Sequence, residues 1–425
     1  SQTLTTATLS LRAPFSVDCA GGSYTLQDSF TTDNSFTVTS GTFSTNNQSL
    51  SCQGLLSNNS NTRSISLGSS SLTLSANPAL NFSTTTGLTF NAGTSNITCS
   101  GGTPIINSTG LTFYNVTMSS ITTANTTISG DNTFNTLSIS SGTAKTNVIT
   151  FSGNQTITGT LTLAGNSTIN RLLVQSSTKG TARTLTAGTV TCSNVDFQDI
   201  TGAGAGSWNL SAITGNSGDC GGNTGITFTT PVTTDWQSGT TWSTATWSSR
   251  VPLPQDTATF TTAGTVTITQ DMPRIGSVDF STSANKTWTT STTCSVFGSI
   301  DLTNLATLTA SVQAYTFEGR GSYTLTNSGK TWAKGITLDA PSGTLTLQDT
   351  FDSTAAITIN KGTFTTGNVA ITCTVFGNAG SGTQVINLGS STIICTTTGW
   401  NITKTSTVTM NAGTSTIKLT ASSGA

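Results

Sequence analysis

Histidine is absent from this chain, and only 7% of its residues are charged, far below the ~25% of an ordinary globular domain. Without His, neither a Ser-His-Asp nor a Cys-His nucleophile system can be built from these residues, and the commonest general base is missing. Basic and acidic residues nearly balance, 15 against 16. A net charge of -1 with no basic run leaves no electrostatic footprint for a phosphate backbone or an anionic membrane surface, so neither nucleic acid nor membrane is expected as a partner. No apolar run approaches the ~20 residues that span a bilayer. There is no initiating Met and no signal peptide, so Ser1 reads as the start of a processed product or of a segment of something longer. The eight cysteines, Cys19, Cys52, Cys99, Cys192, Cys220, Cys294, Cys373 and Cys395, form no CxxC. Zinc spacings are therefore missing, and the thiols read as small buried hydrophobes within strands, with disulfides of unassigned pairing as the alternative. No metal and no cofactor is expected.

What the chain does have is Ser, Thr, Gly and Asn in abundance, a composition that often stays disordered. The apolar residues argue otherwise. SYTLQDSF (23–30), SLTLSA (71–76), GTLTLAG (159–165), GTVTITQ (264–270) and GTLTLQDTF (343–351) alternate apolar with small polar residues at period two. β-Branched residues fill these stretches and Gly or Asn bounds them, which is the pattern of half-buried strands. No window has a helical period. The chain is predicted to be all-β.

A long internal duplication organises it. SYTLQDSF matches TLTLQDTF (344–351), GTFSTNNQSLSC (41–52) matches GTFTTGNVAITC (362–373), and ISLGSSSLTL (65–74) matches INLGSSTIIC (386–395). NAGTSNI (91–97) then matches NAGTSTI (411–417), with an offset of 321 residues at Gly68 and Gly389 and of 320 at Asn91 and Asn411. The aligned copies run over 23–98 and 344–418. Shorter echoes of the same strand-turn-strand unit fill the space between them, as in NQTITGTLTLAGNSTINRLLV (154–174). One such unit cannot bury its apolar face alone, and stacked copies bury a continuous core. The expected architecture is a parallel β-helix or β-solenoid, with a string of β-sandwich modules as the rival. NAGTS would be a turn, Asn91 and Asn411 at the bend and Gly93 and Gly413 supplying positive φ.

The rhythm breaks at 231–256, PVTTDWQSGTTWSTATWSSRVPLPQD, which holds three of the seven Trp and three of the eight Pro. The expected organisation is a solenoid segment over 1–200, a loop-rich Trp/Pro connector or small subdomain over 201–256, and a second solenoid segment over 257–425. Trp236, Trp242 and Trp247 could pack at a joint or, if exposed, offer flat faces to sugar rings.

SNVDFQDI (193–200), GDCGGNTGITFTTP (218–231), VPLPQDTATF (251–260), MPRIGSVDF (272–280), TFEGRGSYTLTNSGKTW (316–332) and LDAPSGTLTLQDTF (338–351) together resemble repeat-rich structural proteins of tailed bacteriophages, namely tail fibres and other virion appendages. The resemblance covers most of the chain and carries no functional residues over. It implies a virion location and trimers built around β-helical or intertwined β shafts. No N-terminal attachment module is recognisable, and KLTASSGA (418–425) closely follows a repeat.

Because β-helical phage spikes are often glycan hydrolases or lyases, the carboxylates matter. Hydrolysis uses two carboxyl groups ~5–9.5 Å apart. Glu318, the sole Glu, lies two residues from Arg320, which suggests an ion pair. Asp196 and Asp199 in DFQD should point to opposite strand faces, and Asp219 in GDCGG reads as a turn residue. These four are weak candidates, and the expected function is non-enzymatic: a rigid shaft and host-surface attachment element of a phage virion. Its partners would be further copies of itself, with a trimer favoured, other virion proteins and a host-surface glycan. A secreted or cell-surface β-helical adhesin or filament subunit is the alternative, and a polysaccharide-degrading tailspike the second. A solenoid also exposes unpaired backbone at both ends, and no cap is evident near Ser1 or Ala425.

Overall fold

A computed structural model describes all residues except 8, 102–103, 122–125, 283–284, 310–313, 381, 404–407 and 421–425, and the side chain of 398. The final residues of KLTASSGA and five positions of the second repeat copy thus lie outside the described residues. The chain is an all-β solenoid of about 18 turns with parallel sheets. One short 3-10 turn, Trp242–Thr244, is the sole helical element among the described residues.

Two compact units divide the chain: Ser1–Ser217 with Asn223–Thr229, and Gly218–Gly222 with Thr230–Ala425. Residues 231–256 build strands of the second unit. Thr233–Ser238 pairs in parallel with Thr257–Thr259 and antiparallel with Thr246–Trp247.

In the first unit, a 13-stranded and a 10-stranded sheet carry the turns. Strict register turns the period-two pattern into columns. Phe30, Leu50, Leu72, Ile97, Val116, Leu137, Leu161 and Val190 are successive partners down one column. Beside it run Cys52, Leu74, Cys99, Met118, Ile139, Leu163 and Cys192, all buried. This explains why the cysteines sit in LSC, ITC and VTC: a thiol fills a place in an aliphatic stack. The residue between the two columns points outward, giving Ser51, Thr73, Thr98, Thr117, Ser138, Thr162 and Thr191 in one row. Each buried Leu, Ile or Val contributes about 1.5–3 kcal/mol of apolar burial, so the sequence alternation itself supplies the stacking energy. All eight thiols are unbridged.

The duplicated segments repeat these pairings at their own positions. Tyr24, Phe43, Ile65 and Phe90 form a column in the first unit, and Leu345, Phe364, Ile386 and Met410 form its counterpart in the second. Hydroxyl networks recur as well. Thr45 Oγ1 donates to the Leu67 carbonyl at 2.8 Å and accepts from Ser70 Oγ at 2.7 Å; Thr366 does the same with Leu388 at 2.8 Å and Ser391 at 2.7 Å.

NAGTS is a turn between two strands of successive sheets. Asn91 ends the strand Leu88–Asn91 and the next strand is Asn96–Cys99. Asn91 Oδ1 accepts the Gly93 N–H at 3.0 Å, and the Thr94 N–H donates to the Gly68 carbonyl of the preceding rung at 2.7 Å. Gly93 has φ of 56° and Gly413 of 58°. A Cβ at either would lie 2.3 Å from a carbonyl oxygen, that of Gly68 or Gly389. The phrase occurs twice because both units make the same left-handed turn directly on top of another glycine turn. Each Asn is the last strand residue; the Asn91 side chain braces the glycine that bends, and Asn411 Nδ2 donates to Asn387 Oδ1 at 2.7 Å.

The second unit has an 18-stranded and a 3-stranded sheet. Much of its core is aromatic: Phe260 and Phe280 stack at 4.1 Å, and Trp288, Tyr315, Trp332 and Phe351 follow at centroid separations of 5.7, 5.7, 5.1 and 5.9 Å.

Candidate binding groove of the second unit

The three tryptophans proposed as a sugar platform are buried: Trp236 is 5% exposed, Trp242 0% and Trp247 8%. Trp242 and Trp247 pack together at 4.9 Å, and both pack on Phe260, at 5.7 and 5.9 Å. Trp247 Nε1 donates to the Trp242 carbonyl at 3.0 Å. The Trp236 ring carries Lys286 Nζ 4.8 Å from its centroid, and that ammonium donates to the Thr262 and Gly264 carbonyls at 2.7 and 2.6 Å. Burial lowers the Lys286 pKa, and the Asp235 carboxylate opposes that shift. Trp242 and Trp247 cover Phe260 near the first strands of the 18-stranded sheet, and all three indoles are buried instead of facing solvent. The aromatic surface that sequence alone offers to a ligand is spent on closing the core.

Of the four candidate carboxylates, two belong to the first unit and hold structure there. Asp196 lies in Val195–Gln198, a strand buried throughout, and its Oδ1 is 2.7 Å from Arg171 Nε. The same guanidinium donates to the carbonyls of Val195, Gly215 and Asn216 at 2.7, 2.6 and 3.0 Å. Asp199 follows the strand with φ of 54°, so the chain does not continue extended through DFQD, and both carboxylates are buried. Asp199 Oδ2 accepts the Gly180 N–H at 3.0 Å.

The other two lie in the second unit. Glu318 is 6% exposed and accepts from Ser295 Oγ at 2.9 Å, while Arg320 Nη1 donates to the Glu318 carbonyl at 3.2 Å. Burial pushes the neighbouring Cys294 thiol up, reinforced by the Glu318 charge and opposed by Arg274. Asp219 occupies the turn its glycines suggest: its Oδ1 accepts the Gly221 N–H at 2.8 Å, and its own N–H donates to Gln255 Oε1 at 3.0 Å.

Asp219 opens onto a cavity. A groove of about 400 Å³ is lined by Asp219, Gln255, Ser277, Phe297, Arg320 and Tyr323, with backbone from Gly221, Gly222, Gly298 and Gly319. Bare backbone shapes its walls. A Cβ on Gly221 would meet Arg320 Cγ at 2.6 Å, one on Gly298 would meet Ser277 Oγ at 2.3 Å, and one on Gly319 would meet the Tyr323 ring at 2.1 Å. The Tyr323 hydroxyl accepts the Gly321 N–H at 3.1 Å. Glycine thus lets three side chains lie flat against the chain and fixes their directions. Sequence reading singled out Asp219 and missed Gln255, Ser277, Phe297 and Tyr323. The available signal was the glycine density of GDCGG and EGRGS, which marks close backbone approach without saying what approaches.

Among the described residues, no cluster of three or more His, Cys, Asp or Glu could hold a metal ion, and no helix is long and apolar enough to cross a membrane. No family model, curated protein or solved structure matches this chain.

Proposed function

We propose that this chain is a structural protein of a phage virion, a tail fibre or similar appendage, acting as a rigid shaft and as a host-surface attachment element without catalysis of its own. The observation that carries the reading is the in-register rung stack. In the larger sheet of the first unit, the path from Gln2–Leu4 to Val195–Gln198 is ten strands long, and at ~4.8 Å per step that is roughly 43 Å of continuous hydrogen-bonded ladder. Rung stacking adds length without posing a new folding problem, which suits a spacer. The buried roles of Asp196 and Asp199 support a structural use of those carboxylates. The resemblance of SNVDFQDI, TFEGRGSYTLTNSGKTW and the related phrases to appendage proteins supplies the virion setting, and assembly with further copies, as a trimer, belongs to the same reading.

Immunogold electron microscopy of the native source tests it, using antibody against this chain. Label on fibres at a tail, baseplate or head is expected. Label on cell envelopes or free filaments, with particles bare, overturns the virion assignment in favour of a cellular adhesin or filament subunit.

A further inference from the structure

We propose that the groove lined by Asp219, Gln255, Arg320 and Tyr323 is a binding site for an uncharged pyranose of a surface glycan. The proposal deepens the attachment reading and rests on it for its biological setting, while the chemistry of the site is argued from the groove itself.

Size comes first. A cavity of about 400 Å³ is at the lower end of the ~300–1,000 Å³ that small-ligand sites occupy, which suits a ring or two and is too small for a folded partner. Charge comes second. The groove carries a carboxylate and a guanidinium. A phosphate or an acidic sugar drawn to Arg320 would have to share the groove with Asp219, whereas a neutral ligand uses both. Hydroxyl groups donate and accept at once, so adjacent sugar hydroxyls can donate to a carboxylate and accept from a guanidinium or an amide.

Third is the apolar component. Sugar rings present C–H faces, and Pro254, Phe297 and Tyr323 give the lining apolar surface. Tyr323 is half-buried, with one side of its ring against Gly319 and Gly321 and its hydroxyl held by the Gly321 N–H. A ring fixed this way presents its remaining surface without an ordering cost on binding, which is where weak carbohydrate contacts gain affinity. Arg320, with its stem on Gly221, is seated in the same manner. Rings and polar groups come from chain segments over 219–323 that the solenoid turns bring together, so the site is made by the stacking itself.

The test is saturation-transfer difference NMR on the full chain with a panel of methyl hexopyranosides, neutral and acidic, at millimolar concentration. Transfer to the ring protons of at least one neutral hexopyranoside is expected. Asp219→Asn keeps the acceptor of the Gly221 N–H and should weaken binding roughly tenfold to a hundredfold, the loss for a charge-assisted hydrogen bond. Tyr323→Ala should weaken it at least as much, with circular dichroism confirming the fold of each variant, and Asp18→Asn in the first unit should leave it unchanged. Transfer from no neutral hexopyranoside, transfer only to acidic sugars, or affinity that survives Asp219→Asn would each overturn the assignment. Gold label on phage appendages together with an inert groove would sink this proposal alone; a sugar-binding groove with label on cell envelopes would instead remove the virion setting and keep the site.

Discussion

Replacing Asp196 by Ala should loosen the end of the first unit far more than a surface change would. The Arg171–Asp196 pair is almost sealed, with side chains 3% and 1% exposed and a 2.7 Å contact. The guanidinium also ties the carbonyls of Val195, Gly215 and Asn216 to the residue just ahead of the strand Leu172–Ser176. Removing the carboxylate breaks a buried ion pair, a change that costs about 3–5 kcal/mol. At about 1.4 kcal/mol per tenfold, amides opened by that loss should exchange roughly 100- to 4,000-fold faster. Hydrogen-exchange mass spectrometry of the full chain reads this directly, because protection follows the local opening free energy. The peptides to follow span 165–217, where the Leu172 N–H donates to the Asn194 carbonyl and the Asn194 N–H to that of Thr214. Peptides from 257–400 serve as the internal control. Acceleration of less than tenfold in 165–217 would refute the claim that this carboxylate is held for structure, and an Asp196→Asn variant that kept its fold while losing a glycan-cleaving activity would replace it with a catalytic role.

The glycine turns give a paired test: Gly93→Ala forces an L residue to φ of 56° with its Cβ 2.3 Å from the Gly68 carbonyl. The backbone term alone is about 1–2 kcal/mol, so urea unfolding of the full chain should show at least that loss; an unchanged midpoint would mean that the turn moves freely off the rung below. The thiols predict a pH dependence. Burial pushes Cys52, Cys99 and Cys192 up to about 12, so in the folded chain they keep protons that the unfolded chain releases above the ordinary thiol value. The unfolded state then binds fewer protons, and stability should fall as pH rises from about 9 towards 12, by up to roughly 1.4 kcal/mol per pH unit for each thiol. Urea midpoints that stay flat over that window, compared with a Cys99→Ala variant, would show that those thiols are not sealed.

Fold and site were unequally legible in the sequence, for a physical reason. Period-two alternation fixes which side chains face inward, and a repeat in register fixes what they stack on. The column from Phe30 to Val190 could therefore be anticipated from stretches such as SLTLS and GTLTLAG, and the NAGTS turn from its glycine. Both are local signals multiplied by stacking. The tryptophans misled because a cluster of large aromatic residues in a break of rhythm looks the same in sequence whether it faces water or closes a core; Lys286 over Trp236 and Phe260 under Trp242 decide it, and neither is near in sequence. The groove was legible only as glycines. Its lining spans Asp219 to Tyr323, so what Gly319 and Gly221 admit depends on side chains that only three-dimensional stacking places beside them.

The duplication shows how such a fold separates its core from its surface. Leading into the two copies, at the same 321-residue offset, the strand register shifts at a bulge, DCAGGS at 18–23 and DAPSGT at 339–344, between register-matched flanks. Gly41 and Gly362 sit under the bulges in the same way: a Cβ on either would lie 2.3 Å from a carbonyl oxygen, that of Cys19 or of Ala340. The acid at the head of each bulge nevertheless faces a different residue. Asp18 is paired with Ser40, which donates to it at 2.6 Å, and Asp339 is paired with Lys361. Inward residues answer to their column neighbours, and a change there is felt through close packing. Outward residues and bulges answer to water or to a ligand, and they vary without disturbing the ladder. A solenoid of this composition can therefore keep one monotonous core while each rung carries its own surface chemistry, and the charged and aromatic residues that depart from the Thr/Ser background, as Asp219, Arg320 and Tyr323 do, are where recognition by this chain should be sought.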